Sequence, residues 1–272
     1  MSAQSSGRGA RTELRFGLIP RGGDHDERER ELVAALGEAL GCDIAVHRAA
    51  DYRVVLSGLE QRLVDFAWLP PLVAARAARG KLAEPLAVAV RYGGTAYTTA
   101  LVTRPSSPIR SLEDLRGVRV AWVDRESASG YVVLRSALAR AGVKLVDAFS
   151  EELFVRSHAA AARAVLDGKV DVAATCAHLE QGAVRFARSP YAGDQGLSAQ
   201  ELRTVFEAGP IPSDIVATRP GVAAHVREAL EAALLRGVPP RVHAAACAVM
   251  HVDGFATPTP EHGRMLETLL DP

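Results

Sequence analysis

From Leu14 onward the chain alternates between two rhythms. Short apolar runs read as strands, and segments with apolar residues three or four apart read as helices. Leu14–Ile19 predicts a strand. Leu32, Val33, Leu36 and Leu40 share one face of a helix over Glu27–Leu40, and Gly41 closes it as a C-cap. Asp43–His47 predicts a second strand, and Asp51 stands as the N-cap of a helix over Asp51–Leu63. Val64–Leu69 reads as a short buried strand stopped by Pro70-Pro71. A short helix over Leu72–Ala78 and strands over Leu86–Tyr92 and Tyr97–Thr103 follow.

The linker-like Arg104-Pro105-Ser106-Ser107-Pro108 interrupts this texture. Beyond it the pattern predicts a short helix capped by Ser111, a strand over Val118–Val123 and a helix over Ser129–Ala141 closed by Gly142. A strand near Leu153–Val155 precedes a helix over His158–Leu166 closed by Gly168, and Val170–Thr175 is a further strand. Residues 189–198 read as a polar loop. Arg203–Glu207 predicts a strand, Pro210-Ile211-Pro212 a turn, and Asp214–Thr218 a strand. Helices over Val222–Leu235, Arg241–Met250 and Glu261–Leu270 end the chain.

Strands alternating with helices predict parallel-rich sheets covered by helices, an α/β architecture. The simplest partition is discontinuous: a flexible tail over 1–13, one lobe from 14–103 plus 207–272, and a second from 104–206. Two lobes joined by two crossings can close like a hinge around a ligand. Pockets in such folds lie between the domains and at the carboxyl ends of strands.

The 272 residues fit about two domains. Hydrophobic residues make up 48% and charged residues 24%, which excludes a disordered or collagen-like chain. Lys plus Arg and Asp plus Glu are each 32, and this neutrality argues against broad nucleic-acid binding. Cys42, Cys176 and Cys247 are too few and too scattered for a disulfide framework or a zinc site and read as small buried residues. No stretch reaches the length of a membrane span. The first apolar run is too short for a signal-peptide core, so no export signal is expected in the chain as written.

Candidate chemistry sits just after strands. Asp124-Arg125-Glu126-Ser127-Ala128-Ser129-Gly130-Tyr131 follows a strand and opens a helix, so its hydroxyls and backbone N–H groups stand at a helix N-terminus, which favours anions. Plain N-capping by Ser127 or Ser129 is the simpler alternative. Arg156-Ser157-His158 repeats the arrangement, with His158 as a donor to an oxyanion, a base, or a first-turn histidine bonded to backbone. Asp214 follows the proline turn. A carboxylate beside an anion site accepts a hydrogen bond from P–OH and repels a fully ionised anion such as sulfate. Tyr52 and Tyr97, at the start of a helix and of a strand, have hydroxyls suited to closing over a small ligand. His243, Cys247 and His251 recur four apart, a spacing that arises easily by chance, and no metal site is expected there. Ser127 or Ser129, His158 and Asp214 also supply the residue types of a hydrolase triad, without a Gly-x-Ser-x-Gly elbow.

Taken in order, these segments resemble the phosphate/phosphite/phosphonate substrate-binding proteins of ABC transporters, a family of type 2 periplasmic binding proteins. The carrying segments are Leu14–Pro20 (LRFGLIP), Asp51–Pro71 (DYRVVLSGLEQRLVDFAWLPP), Tyr97–Pro108 (YTTALVTRPSSP), Ser111–Tyr131 (SLEDLRGVRVAWVDRESASGY), Ser157–Asp171 (SHAAAARAVLDGKVD) and Pro210–Asp214 (PIPSD). The resemblance runs from about Leu14 to Leu270. It implies a two-lobed fold with a hinge and an interdomain cleft, lined by Tyr52, Tyr97, Ser127, Ser129, His158 and Asp214 and by the backbone N–H of Ala128. It implies capture of a phosphorus oxyanion (phosphate, phosphite or a phosphonate) for ABC-type uptake, with an ABC permease as partner. No cofactor, catalytic residue, nucleic acid or membrane span is expected, and the protein is expected to be a monomer.

The chain departs from the family pattern at Ala128, where a hydroxyl residue is usual, and at Pro70, where glycine is usual. It departs again at Arg156, in place of a small residue, and at Ser213, in place of Asn. The resemblance places the protein in the periplasm or cell envelope; the missing export signal, taken by itself, predicts the cytoplasm. Two other readings on the same scaffold follow from that: a cytoplasmic ligand-sensing module, and an intracellular enzyme using the Ser/His/Asp set.

Overall fold

The computed structural model describes residues 13–18, 25–49, 51–180, 183–185 and 202–270. Two sheets divide the chain. β1 (Glu13–Leu18) leads to α1 (His25–Leu40), β2 (Asp43–Arg48), α2 (Tyr52–Glu60), β3 (Phe66–Leu69), α3 (Pro71–Arg79) and β4 (Glu84–Val90). The chain then crosses to β5 (Ala96–Thr103), β6 (Val118–Trp122), α4 (Val133–Arg140), α5 (Leu145–Ala148), β7 (Phe149–Phe154), α6 (His158–Leu166), β8 (Val172–Glu180), β9 (Ala183–Arg185) and β10 (Arg203–Pro212). It returns for β11 (Ile215–Thr218), α7 (Ala224–Leu235), α8 (Pro240–Met250), β12 (Gly254–Ala256) and α9 (Pro260–Thr268).

The first sheet has the order β12-β4-β11-β3-β1-β2, and the second runs β10-β5-β8-β6-β7, with β9 paired to β8. Within them β1 is parallel to β2 and β3, and β6 is parallel to β7 and β8. Helices cover both faces, which is why the central strands are apolar throughout rather than alternating. All four residues of β3, Phe-Ala-Trp-Leu, are buried. On one face of the first sheet Leu32 and Leu36 of α1 pack with Leu230 of α7 and Val249 of α8. On the other, Val55 and Leu59 of α2 pack with Leu72 and Val73 of α3 and Leu266 of α9. In the second lobe Trp122 packs with Leu134 and Leu138 of α4 on one face, and Ala161 and Val165 of α6 cover the other.

Several expected signals appear where the sequence put them. Gly41 takes a left-handed φ of 64° at the end of α1. Asp51 caps α2 by accepting from the N–H groups of Arg53 (2.9 Å) and Val54 (3.0 Å). Cys42, Cys176 and Cys247 are free thiols, the first two buried. Burial also pushes the Cys247 thiol above its ordinary range, which keeps it protonated and a poor nucleophile.

Other expectations need correction. β5 and β10 belong to the second sheet, so the sheets part near 91–95 and 213–214 rather than near 103 and 206. Pro210-Ile211-Pro212 is not a turn but the end of β10: Ile211 pairs with Tyr97 and Pro212 with Ala96, past a register shift. β10 is an edge strand, where a residue without an N–H costs no ladder bond. The helix expected over Ser129–Ala141 begins as a π-turn over Ala128–Val132, with Val132 N–H donating to Ser127 five residues back (3.0 Å) before α4 continues it. The predicted loop at 189–198 lies outside the described residues.

α9 secures the second crossing. His262 is buried, and its Nε2 lies 3.1 Å from the Ser213 carbonyl, the residue before Asp214. Burial lowers the His262 pKa, and the bond to Ser213 only partly opposes it. The unfolded chain therefore takes up this proton near its ordinary value of about 6.5, while the folded chain resists until lower pH. Stability should fall as pH drops below about 6.5, and His262→Gln should flatten that acid-side slope. Tm measured from pH 7.5 to 5 tests this; an identical slope in the variant would remove His262 as the cause.

Candidate functional site

Strand direction brings the candidate residues to the carboxyl ends of the strands in the two sheets. β6 and β7 run parallel, so the turns after them, carrying Ser127–Ser129 and Ser157-His158, leave the same end of the second sheet. β5 runs antiparallel to β8, so Tyr97, near its start, lies beside the carboxyl end of β8. Asp214 precedes β11, which is antiparallel to β3 and β4, so it too lies at the carboxyl end of their strands.

The turn after β6 is built as a donor surface. Glu126 N–H donates to Asp124 Oδ1 (2.8 Å) and Ser127 N–H to the Asp124 carbonyl (3.0 Å). Ser127 Oγ accepts from Gly130 N–H (3.0 Å), so its own proton can serve another acceptor. Ser127, Ala128 and Ser129 are all buried and open the continuous helical run 128–140, whose first-turn N–H groups and dipole favour an anion. Gly130 permits this geometry. A Cβ there would stand 2.4 Å from Val123 Cβ, and Val123 N–H donates to the Gly130 carbonyl (3.1 Å).

His158 is the first residue of α6, behind Ser157, whose hydroxyl accepts from Ala160 N–H (3.1 Å). Its Nδ1 accepts from Cys176 N–H at 3.2 Å, with Thr175 Oγ1 at 3.4 Å. A backbone N–H can only donate, so Nδ1 must be the unprotonated nitrogen and the neutral ring carries its proton on Nε2. His158 is therefore held as a hydrogen-bond donor. Thr99 sits between the serine turn and β8, the strand that holds His158 Nδ1: its Oγ1 lies 2.5 Å from the Ser129 carbonyl and 3.2 Å from that of Thr175.

The first lobe contributes Asp214, which is buried. Its Oδ2 accepts from Arg91 Nη2 (2.7 Å) and from Trp68 Nε1 (3.1 Å). Tyr97 is half-buried and packs against the α2/α3 cluster. Tyr52 opens α2, and its side chain lies outside the described residues. The lobes also touch directly. Glu126 of the donor turn pairs with Arg76 of α3 and, at 3.8 Å, with Arg53 of α2. Ala128 and Val133 pack into the apolar cluster of the first lobe.

This geometry does not form a relay triad. A His–hydroxyl–carboxylate relay needs both ring nitrogens, and Nδ1 of His158 is already taken by Cys176 N–H, while Asp214 accepts from Arg91 and Trp68. His243 Nδ1 lies 2.9 Å from the Leu234 carbonyl, His251 sits in the left-handed C-cap of α8, and no metal-binding cluster exists among the described residues. Sequence reasoning assigned no role to Arg91, Trp68, Thr99, Thr175 and Glu126, whose roles come only through strand pairing or contact between the lobes.

The model of one protein family, described as ABC transporter, phosphonate, periplasmic substrate-binding protein, matches residues 16–262. Solved structures share the fold. A binding protein component of an ABC phosphonate transporter from Pseudomonas aeruginosa is 22% identical at a TM-score of 0.76, over 96% of this chain and 86% of that one. PhnD1 of Prochlorococcus marinus, in complex with methylphosphonate, is 16% identical at 0.71, over 94% and 96%. A Xanthomonas citri protein bound to ATP is 23% identical at 0.72, over 94% and 95%.

Two substitutions test how the donor turns are built. Gly130→Ala should destabilise the protein by about 1–3 kcal/mol through overpacking against Val123, read by denaturant unfolding. Thr99→Val removes the hydroxyl between the serine turn and β8 while keeping its shape. Amide exchange at Ser129 and Cys176 should accelerate, and unchanged exchange at both would show that turn and strand are held independently.

Proposed function

The chain belongs to the family of periplasmic substrate-binding proteins of phosphonate ABC transporters, and we propose that it captures a phosphorus oxyanion in the cleft between its lobes. The family is one of transport binding proteins rather than enzymes, and its members present a small ligand to an ABC permease. Among the described residues no helix is long and apolar enough to cross a membrane.

The observation that carries the reading is the fixed tautomer of His158. An imidazole whose Nδ1 is taken by Cys176 N–H offers Nε2–H, and it does so at a helix N-terminus on the same sheet end as the Ser127–Ser129 turn. Two helix N-termini, a neutral donor imidazole and serine hydroxyls form a set suited to the oxygens of a tetrahedral anion. Ala128 lends this set its backbone N–H and no side-chain donor. Tyr97 and Tyr52 are the proposed closing groups from the first lobe. The Pseudomonas and Prochlorococcus neighbours, a phosphonate-transporter component and a methylphosphonate complex, support the same ligand class. Phosphate, phosphite and alkylphosphonates share this tetrahedral head.

Thermal shift with phosphate, phosphite, methylphosphonate and 2-aminoethylphosphonate tests the reading. A true ligand at about 100 times its Kd should add about 2.7 kcal/mol of stability. His158→Ala should then weaken binding about tenfold or more, the cost of leaving an oxyanion oxygen without its donor. No shift with any of the four would overturn the ligand class. The pair of Glu126 with Arg76 holds the two lobes against each other, so Glu126→Ala should raise ligand koff with little change in kon, read by stopped-flow fluorescence.

A further inference from the structure

The buried pair Arg91–Asp214 has no counterpart in the sequence reading, which treated Asp214 as a lone carboxylate able to accept a proton-bearing oxygen. Arg91 follows β4, at the start of the first crossing between the lobes, and Asp214 ends the second, so the pair joins the two crossings at the hinge side of the cleft. Both side chains are more than nine-tenths buried, at 6% and 5% exposure, and they meet at 2.7 Å. The guanidinium is held from behind as well. Its Nε donates to the carbonyl of His251, the C-cap of α8 (3.0 Å), and its Nη2 to that of Met250, the last residue of the helix (3.0 Å). Trp68 Nε1 donates to the same Asp214 oxygen that Arg91 holds.

We propose that Arg91 is a specificity-determining residue: by cancelling the charge of Asp214 it sets the cleft to take a fully ionised tetrahedral dianion rather than a singly protonated one. The inference rests on the oxyanion reading above and adds the charge state the site selects. A carboxylate balanced by a guanidinium at 2.7 Å presents a dipole, whose field on a neighbouring anion falls off faster than that of a bare charge. The repulsion that would otherwise require a P–OH is removed.

The other charges around the donor turns point the same way. Glu126 is taken by Arg76 and Arg53. Arg156, one residue before the cap of the His158 helix, is exposed at a left-handed φ of 67° and makes no ion pair among the described residues. Glu126 and Asp214 are thus each paired with arginine, while Asp124 accepts the Glu126 N–H within its own turn.

Calorimetric titration at pH 8 with methylphosphonate and sulfate separates the possibilities, because sulfate has the same shape and carries no proton. The wild-type protein should bind the two within about tenfold of each other, about 1.4 kcal/mol. Asp214→Asn should move both affinities in the same direction. Arg91→Met, which exposes the carboxylate charge, should weaken sulfate at least tenfold more than methylphosphonate, and Arg91→Lys should restore the wild-type ratio. A wild-type protein that binds methylphosphonate and rejects sulfate more than a hundredfold would overturn the inference and leave the oxyanion reading intact. So would an Asp214→Asn variant that loses methylphosphonate while gaining sulfate, or a folded Arg91→Met variant that weakens both equally. A wild-type protein that binds neither anion, nor phosphate, overturns the oxyanion reading and this inference with it.

Discussion

Parallel pairing of β6 with β7 and β8 is the constraint on which the site depends. Parallel neighbours discharge their chains at the same end of a sheet, and a chain leaving a strand there commonly enters a helix. The turn of Ser127–Ser129 and the turn of Ser157-His158 are therefore adjacent because their strands are, although about thirty residues separate them in sequence. Backbone bonds continue the pairing past the strands: Val155 N–H donates to the Trp122 carbonyl and Arg156 N–H to that of Val123. The donor groups thus stand on extended sheet rather than on free loops, and Thr99, from the antiparallel neighbour β5, links the serine turn to β8.

Electrostatics in the cleft follow from where arginines land. Arg91 and Arg76 come from the first lobe, and their carboxylate partners Asp214 and Glu126 come from the second crossing and the second lobe. The Glu126–Arg76 pair therefore joins the two lobes, whereas Arg91 and Asp214 join the two crossings where they leave and re-enter the first lobe. For Arg91 and Asp214 the burial is nearly complete, so removing one partner would strand the other in a poor dielectric. The glutamate pair is more exposed and contributes less to stability.

Much of the architecture is legible in the sequence because local forces act on neighbouring residues. The helix over His158–Leu166 is found at the expected bounds because Ser157 supplies a cap and Gly168 takes the left-handed backbone just past its end. The order and spacing of the six segments suffice to identify the family. The lobe boundaries were misplaced because nothing local distinguishes a strand of one sheet from a strand of another. Tyr97–Thr103 reads as a strand in either, and only its pairing with β8 and β10 assigns it. The prolines at 210 and 212 read as a turn because proline usually breaks pairing. They end a strand here because β10 lies at an edge, a property of the whole sheet.

The same division holds at the site. Sequence alone determined which residues stand at helix starts after strands, because capping, hydrophobic period and turn chemistry are carried by a few consecutive residues. Ser127, Ser129 and His158 are candidates on those grounds, Asp214 is one by its place after the proline segment, and the resemblance adds its weight to all four. Tertiary structure decided what each of them is chemically. Cys176 N–H sets the His158 tautomer, Gly130 packing on Val123 shapes the serine turn, and Arg91 sets the charge that Asp214 presents. Proton position and net charge depend on partners a few ångströms away, and those partners come from strands that only the folded sheets bring together.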